Sequence, residues 1–288
     1  MKRFVIYTAV IGGYDQIRQP EIIDDRFDYV LFSNDLQDDK VGVWTIKHFS
    51  YSNSDSTRIS RYIKTHPETL LPGYDFSIWI DSNIQISSDF LYTRAIALFN
   101  NQVEISALKH PFRNYIYDEL FAVVNLMVEH EAVVLKWGHL LRKEGCPKNL
   151  GLSETGILYR CMNPRLNAFN ELWWNCISRY SRRDQLSFNY CLWKSGLEFN
   201  DFLGDGRLLR DCPDFILSNH NRLLHNYCEF AKNEAWLMRH CWKHPGSEER
   251  TKSLYYRIYA TPFPVLCAYL LGQVFRVFDW IERKWKQC

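Results

Sequence analysis

The chain has 288 residues, enough for one α/β domain of ordinary size and an additional C-terminal segment. Hydrophobic residues make up 47% and charged residues 24%, which is typical of a globular protein and excludes a disordered chain. The 35 basic and 33 acidic residues leave a net charge of only +2, so composition predicts no nucleic-acid partner, and any anion site must be local.

Cysteine usage and the N-terminal residues predict a cytoplasmic protein. The nine cysteines form no CxxC pair, and an odd number cannot be fully paired within one chain, so reduced thiols are expected. The apolar segment after Met1-Lys2-Arg3 is too short for a signal peptide and runs into Gly12-Gly13. A peripheral position on the inner face of the cell membrane stays open.

The first part of the chain predicts strands that end in polar residues and one basic helix. The strands are expected at residues 4–11, 28–32, 43–48 and 76–80, and the helix runs from Asp55 to just before Pro67. Asp81-Ser82-Asn83 follows the fourth strand. Because open α/β sheets bind ligands at the carboxyl ends of their strands, this edge is the expected site.

The second part continues the alternation of strands and helices. Strands are expected at 103–108 and 155–159, and helices at 117–143, 164–179 and from about 183 to 194. This order predicts an α/β fold with a mainly parallel central sheet flanked by helices. We expect a catalytic domain over residues 1–215 and a C-terminal helical extension over 216–288.

Asp81 and Asn83 form the first candidate site. On an extended segment both side chains would face one way and Ser82 the other, giving a pair of oxygen donors. Mn²⁺ and Mg²⁺ prefer such ligands and bridge phosphates. The alternative is a turn built from Asp, Ser and Asn.

Arg58, Arg61 and Lys64 form the second candidate site. Their spacing of three residues puts them on neighbouring positions of one helix face, where they could neutralise phosphate groups. A solvated basic face is the alternative reading.

The chain resembles a known family in several motifs. These are residues 7–15 (YTAVIGGYD), 28–30 (DYV), 79–83 (WIDSN), 109–111 (KHP), 116–119 (IYDE) and 183–188 (RDQLSF). Over about residues 4–200 they resemble the DUF616 family, which is glycosyltransferase-like. That family includes plant proteins of pectin or mucilage synthesis and bacterial members of polysaccharide clusters. The resemblance implies a GT-A-like fold.

A more distant similarity is to the family-8 glycosyltransferases, in the order of basic helix, Leu71-Pro72 turn, strand and acidic motif. It implies that Lys64 contacts the donor diphosphate and that Asp184 and Gln185 lie beside the reacting sugar carbon. Asn83 stands where family 8 has a second aspartate. From the residues alone, Asp184 could equally be a helix N-cap.

Further site residues are expected around these motifs. The base and ribose of the donor are placed near Thr8, Ala9 and Asp35, at strand ends. The acceptor or its sugar is assigned to His110, Arg113, Glu154 and Thr155, although Glu154 and Thr155 could lie in a solvated loop. His110, His220 and His225 are candidates for a third ligand of Mn²⁺ or Mg²⁺, and His225 is assigned to the metal.

The C-terminal residues 262–286 combine apolar and aromatic side chains with Arg and Lys. The stretch is too short to span a bilayer but suits an amphipathic helix at a membrane surface. Docking on the protein's own core or on a second subunit, with an oligomer as the result, is the alternative.

The sequence therefore predicts a glycosyltransferase that uses a nucleotide-sugar, a UDP-sugar by preference, and a glycan or lipid-linked oligosaccharide as acceptor. Retention of the anomeric configuration is favoured by the family-8 similarity alone. The alternatives are a nucleotidyltransferase such as a pyrophosphorylase and a non-catalytic glycan-binding module. No basic, glycine-rich phosphate loop follows the first strand, which argues against the pyrophosphorylase.

Overall fold

The computed structural model describes residues 4–13, 15–125, 129 and 131–218. The chain divides into two compact units, Met1–Tyr117 with Trp137–Asn221 and Asp118–Lys136 with Arg222–Cys288. The predicted helical extension over 216–288, including the segment 262–286, lies almost entirely outside the described residues and stays a prediction. No helix of the described part is long and apolar enough to cross a membrane.

Seven strands form the central sheet, and two short strands form a separate ribbon. The strands are β1 (Phe4–Ala9), β2 (Phe27–Phe32), β3 (Lys40–Val41), β4 (Trp44–Lys47), β5 (Phe76–Ile80), β6 (Ile84–Ile86), β7 (Ile105–Lys109), β8 (Ser153–Cys161) and β9 (Phe215–Leu217). The sheet order is β3-β4-β2-β1-β5-β8-β7, and β6 pairs with β9. Strands β4, β2, β1, β5 and β7 point in one direction, whereas β3 and β8 run against their neighbours.

The helices connect these strands. They are α1 (Ser56–Thr65), α2 (Pro67–Leu70), α3 (Phe90–Asn100), α4 (Ile116–Asn125), α5 (Glu131–Lys143), α6 (Pro164–Arg179) and α7 (Gln185–Ser195), with a short 3₁₀ helix at Leu209–Asp211. Side-chain caps explain two of the starts. The Asp55 carboxylate accepts a hydrogen bond from Thr57 N, and the Asn163 side chain accepts one from Leu166 N ahead of Pro164.

The core explains why the central strands appear as continuous apolar runs. Every residue of β5 is buried, and so are all residues of β1 after Phe4, because both faces of these strands are covered. Aromatic rings fill the space, with Phe76 stacked 4.3 Å from Phe4. This confirms the predicted α/β class with its mainly parallel sheet and flanking helices.

The predicted strands and helices of the described part are all present, but six elements were not predicted: β3, β6, β9, α2, α3 and the 3₁₀ helix at Leu209–Asp211. Strands β3, β6 and β9 have only two or three residues, and helix α3 has no strong boundary signal, since the Asp89 side chain does not cap it. Short elements of this kind depend on tertiary pairing more than on local pattern.

Candidate active site

A buried ion pair lies where helix α1 meets the start of helix α7. Lys64 Nζ is 2.6 Å from Asp184 Oδ2, and the Lys64 side chain is completely buried. Asp81, at the carboxyl end of β5, lies 3.6 Å from the same ammonium through Oδ1. Helix α1 contributes Arg61 as well, whose Nε is 3.1 Å from Asp184 Oδ1. We call Arg61, Lys64, Asp81, Thr155 and Asp184 the Asp184 centre.

The Asp184 carboxylate is held on both oxygens. Thr155, on β8, donates its hydroxyl to Oδ2 at 2.8 Å, next to the Lys64 contact. Burial alone would raise the pKa of Asp184, but the charges of Arg61 and Lys64 and the hydrogen bonds from Lys64 and Thr155 outweigh it, and the pKa falls well below its usual range. The carboxylate is therefore ionised.

The Lys64 ammonium has the opposite balance of forces. Burial lowers the pKa of Lys64 from its ordinary value, and the charges of Asp184 and Asp81 oppose that change. Hydrogen-bond contact at 2.6 Å favours the ionised form of both members of the pair. The two sites predicted separately from sequence, at Lys64 and at Asp184, are thus one site.

The backbone of Lys64 is fixed by residues that the sequence analysis missed. Tyr7 donates its hydroxyl to Lys64 O at 2.8 Å, and the completely buried Arg160 donates to the same oxygen at 2.6 Å. Arg160 also donates to Tyr7 Oη and to Asn170 Oδ1. The sequence could have indicated Arg160, because an arginine inside the apolar run of β8 needs polar partners when it is buried.

Asp81 begins a tight turn, so the expected extended segment is wrong. Ile84 N donates to Asp81 O at 2.9 Å, which closes the turn. The side chains point to different partners: Trp79 Nε1 donates to Asp81 Oδ1 at 2.6 Å, Ser82 donates to Asp15, and Asn83 donates to Ser218 O. The turn separates the predicted Asp81 and Asn83 pair because alternation holds only in extended backbone.

A cleft lies beside Asp81 on the β1, β2 and β4 side of the sheet. It is lined by Thr8, Val10, Ile17, Arg18, Leu31, Trp44, Ile80, Asp81, Ser82 and Ile84. Thr8 Oγ1 is buried and has no hydrogen-bond partner among the described residues. Arg18 and Trp44 were not predicted for this cleft, since nothing in their spacing connects them to Thr8 or Asp81.

Two other residues were predicted near the nucleoside. Asp35 lies at the carboxyl ends of β1 and β2, whereas Ala9 does not line the cleft. Asp35 Oδ2 accepts a hydrogen bond from Gly12 N at 2.6 Å, which ties together the loops after β1 and β2. Ala9 follows Thr8 along β1 and therefore faces the opposite side of the sheet.

Arg58 does not join the Asp184 centre. Its guanidinium donates to the carbonyls of Ile177, Ser178 and Tyr180 at the end of helix α6. These are the carbonyl groups that a helix leaves without intrahelical partners, so Arg58 stabilises α6. The geometry gives its predicted role in donor binding no support.

Asp184 stands at the N-cap position of α7 without capping it through its side chain. Its backbone is helical, with φ −56° and ψ −37°, and the side chain makes no cap hydrogen bond. The capping alternative is therefore wrong. Gln185, the next residue, is 9% exposed, and its side chain makes no hydrogen bond within the described part of the chain.

The predicted acceptor residues lie along the same edge, at the end of β7 and the start of β8. His110 Nδ1 accepts hydrogen bonds from the backbone N–H groups of Phe112 and Arg113. Burial, followed by the charges of Arg113, Arg210 and Arg183, lowers the pKa of His110 to about 4. Glu154 Oε1 is 3.8 Å from Arg210. The Thr155 hydroxyl belongs to the Asp184 centre.

The described residues contain no group of three His, Cys, Asp or Glu side chains that could hold a metal ion. His110 accepts amide protons at Nδ1, and Arg113 Nη2 lies 3.4 Å from Nε2, so both ring nitrogens already contact donor groups. His220 and His225 lie outside the described residues. The prediction of a metal therefore depends on Asp81 within this part of the chain.

Comparison with known proteins gives the family. A family model described as the TOD1/MUCI70, glycosyltransferase-like domain matches residues 1–203. A relative named alkaline ceramidase TOD1, from Arabidopsis thaliana, is 26% identical over 230 residues, which cover 65% of this chain and 47% of that protein. The chain thus spans about half the length of this curated relative.

Among solved structures, S. aureus TarS (1-349) aligns over 98% of this chain and 88% of its own, with 13% sequence identity and a TM-score of 0.39. That score is too low for the likeness to support an inference. The family model covers more than half of the chain, including the whole Asp184 centre, and it is the family of the resemblance found from sequence. The chain belongs to the TOD1/MUCI70 glycosyltransferase-like family.

Proposed function

We propose that the protein is a glycosyltransferase that takes a sugar from a UDP-sugar and transfers it to a glycan or a lipid-linked oligosaccharide. The observation that supports this most strongly is the Asp184 centre, because it joins the basic helix α1, the strand-end Asp81 and the start of α7. These are the elements that family 8 uses for the donor. A centre of this kind beside a cleft suits a substrate with a charged and an uncharged part.

The cleft lined by Thr8, Arg18 and Trp44 would take the nucleoside. Ile17 and Arg18 present partly exposed side chains to this cleft, and the Thr8 hydroxyl, which has no partner among the described residues, could bond to the nucleoside. Asp81 borders both the cleft and the centre, which puts the diphosphate at the junction. The sugar would then lie toward Thr155 and Gln185.

Charge balance supports the predicted metal. Lys64 and Arg61 face the carboxylates of Asp81 and Asp184, so these four side chains have no net charge with which to neutralise a diphosphate. Asp81 Oδ2 is the carboxylate oxygen that Trp79, Lys64 and Arg61 do not contact. A Cβ at Gly156 would be 3.4 Å from it, so the glycine keeps the adjacent space open.

Asp81 would accordingly hold Mn²⁺ or Mg²⁺ together with oxygens of the substrate and without Asn83, whose side chain is directed to Ser218. The ion would neutralise the departing nucleotide. The other residues of the centre position the carboxylates. Lys64 and Arg61 hold Asp184 and Asp81 in place, and Thr155 donates a hydrogen bond to Asp184.

Asp184 is a positioning residue in this scheme, since both of its oxygens are already bound and it is nearly inaccessible. Gln185 is the group that can contact the sugar. Its amide could donate to or accept from a sugar hydroxyl near the reacting carbon. Retention of configuration is proposed on the family-8 similarity.

A panel of UDP- and GDP-sugars, each with and without Mn²⁺, tests the proposal by measuring release of nucleotide. We expect release from at least one UDP-sugar and its loss in Asp81→Asn. Asp89→Asn, the same change at an exposed position before α3, is the matched control and should retain it.

Two results would contradict the proposal. One is the absence of nucleotide release from every donor by a folded protein. The other is hydrolysis of ceramide, the activity that the name of the Arabidopsis relative implies, in place of transfer. Equal loss of activity in Asp81→Asn and Asp89→Asn would show that Asp81 has no specific role in the reaction. It would not contradict the proposed class of enzyme.

A further inference from the structure

The cleft beside Asp81 has one basic residue, Arg18, among the described residues that line it. The Arg18 side chain is partly exposed, and within the described part of the chain it makes no hydrogen bond or ion pair. A guanidinium carries a permanent positive charge and five N–H donors. A guanidinium without protein partners in a cleft therefore suits an anionic ligand.

Neighbouring elements fix the backbone around Arg18, although they leave its side chain free. Trp44 Nε1 donates a hydrogen bond to Arg18 O at 2.7 Å. The side chain of the next residue, Gln19, accepts a hydrogen bond from Val43 N at 3.0 Å. From β6, Gln85 Nε2 donates to Gln19 O at 3.0 Å. Because the backbone is already ordered, an anion has to order only the Arg18 side chain when it binds, which lowers the entropic cost of binding.

Gly42, in the turn between β3 and β4, makes this arrangement possible. Its φ of +61° lies in the left-handed region, and a Cβ at this position would overlap the Gln19 carboxamide. That carboxamide bonds to Val41 O on one side of the turn and to Val43 N on the other. The turn is therefore built around the residue that directly follows Arg18, which explains why the segment has a fixed position.

The charge balance of the neighbouring centre indicates what Arg18 can contribute. Lys64 and Arg61 face the carboxylates of Asp184 and Asp81 and leave no net charge for a diphosphate. Arg18 and Asp81 both line the cleft, and they form no ion pair with each other. The proposed function puts the diphosphate beside Asp81. Arg18 thus offers, at the same cleft, a positive charge that the centre cannot supply.

We propose that Arg18 binds a phosphate group of the donor nucleotide, so that the cleft recognises a nucleoside phosphate and not the nucleoside alone. This rests on the proposed function. The N–H groups of a guanidinium can bond to two phosphate oxygens at once, and such charged hydrogen bonds are stronger than neutral ones. The affinity for phosphorylated ligands should therefore depend on Arg18, and the affinity for the nucleoside should not.

Uridine, UMP and UDP separate a contact to phosphate from a contact to the base. Their affinities for the full chain are measured by calorimetric titration in the presence of Mn²⁺. In Arg18→Gln we expect UDP to bind about 10-fold more weakly and uridine to bind as before, which corresponds to the loss of one hydrogen-bonded charge. An equal loss with UMP and UDP assigns the contact to the first phosphate, and a loss with UDP alone assigns it to the second.

Two results of these titrations would overturn the proposal. One is an equal loss of affinity for uridine and UDP, because Arg18 would then contact the base or support the cleft. The other is the absence of UDP binding by the parent protein. Arg18→Gln should fold normally, since the side chain has no partner within the described residues whose loss could destabilise it.

Arg26→Gln is the matched control, because it removes the same charge at the opposite edge of the sheet. Arg26 directly precedes β2, whereas the cleft lies at the carboxyl ends of the strands, and its guanidinium is paired with Asp24 at 2.5 Å. This variant should bind UDP as the parent does. An equal loss of UDP affinity in Arg18→Gln and Arg26→Gln would overturn the proposal, because net charge alone would then explain the effect.

Nucleotide release from the panel of donors distinguishes failure of this inference from failure of the proposed function. If UDP binding depends on Arg18 and no donor releases nucleotide, the proposed transfer fails, and the phosphate contact of Arg18 stands without it. If a UDP-sugar is a substrate and Arg18→Gln binds UDP as tightly as the parent does, the transferase stands and the role of Arg18 is overturned.

Discussion

The Asp184 centre and the groups around it differ in how their polar atoms are satisfied. Within the centre each charge has a partner of opposite sign: Lys64 Nζ donates to Asp184 at 2.6 Å, and Arg61 Nε lies 3.1 Å from the same carboxylate, within ion-pair distance but without hydrogen-bond geometry. Around it, Thr8 Oγ1 and Arg183 Nε have no hydrogen-bond partner among the described residues. Satisfied groups contribute to the stability of the fold, whereas unsatisfied groups that stay unpaired cost free energy. We therefore expect the ion pairs around Asp184 to act mainly as a scaffold and the unsatisfied groups to gain partners when a ligand binds.

The strongest test of this difference is Asp184→Asn. The change leaves the completely buried Lys64 ammonium without its nearest carboxylate, so we expect the free energy of unfolding to fall by about 3 to 5 kcal/mol. Urea denaturation measures it. Adding Lys64→Met should recover a large part of the loss, because the uncompensated charge is then removed. A loss of only about 1 kcal/mol, the usual value of a helix cap, would contradict the role of the pair.

Gln185→Ala should have the opposite profile. The side chain makes no hydrogen bond within the described residues, so stability should change by less than about 1 kcal/mol. If the amide contacts the sugar in the transition state, turnover should fall about 100-fold with little change in donor affinity. Steady-state kinetics and thermal unfolding are measured on one preparation. Asn167→Ala, which removes a carboxamide from α6, is the control and should keep normal turnover. Normal turnover in Gln185→Ala would contradict the catalytic role of Gln185.

His110 is intermediate, since Nδ1 is satisfied by backbone amides while arginines surround the ring. Its pKa falls to about 4 in the folded protein, so between that value and about 6.5 the unfolded chain binds a proton that the folded chain does not. Stability should thus be complete above about pH 6.5 and decrease as the pH falls toward 4. After allowance for solvent at this half-buried site, we expect a loss of about 1 kcal/mol between pH 7 and 5.

Chemical denaturation at pH 7 and pH 5 measures that loss, with His110→Asn as the comparison. Asparagine can accept the same backbone N–H bonds and does not titrate, so its stability should change less over this range. An equal pH dependence in both proteins would show that His110 is not the group responsible.

The sequence predicted the elements of this region better than their pairing. The apolar runs of β1 and β5 mark strands that are buried on both faces, and period and composition report such burial directly. Lys64 and Asp184 are separated by 120 residues, and no local pattern encodes contact over that distance. The family resemblance placed both residues near the donor, but the ion pair between them became visible only in the folded chain.

Helix α1 shows a second reason for incomplete prediction. Arg58 and Arg61 have the same residue type and neighbouring positions, yet one donates to α6 carbonyls and the other contacts Asp184. Helical spacing predicts the angle between two side chains around the helix axis. It does not predict which other parts of the protein each side chain contacts. Asp81-Ser82-Asn83 is a similar case, because its turn residues fit both a metal motif and a turn, and the hydrogen bond from Ile84 N decides for the turn.

Thr8→Val gives the smallest expected effect and the most direct test of the unsatisfied region. Valine has nearly the shape of threonine and lacks the hydroxyl, and Thr8 Oγ1 is buried with no partner among the described residues. Removing an unpaired buried hydroxyl should leave stability equal or slightly higher, within about 0.5 kcal/mol. If that hydroxyl bonds the donor nucleoside, UDP should bind about 3- to 5-fold more weakly, in line with about 1 kcal/mol for one neutral hydrogen bond. Calorimetric titration with UDP and thermal unfolding supply the two numbers. A destabilised variant with normal UDP affinity would show that the Thr8 hydroxyl stabilises the fold. Thr8 would then have to be assigned to the scaffold and not to the ligand-binding region.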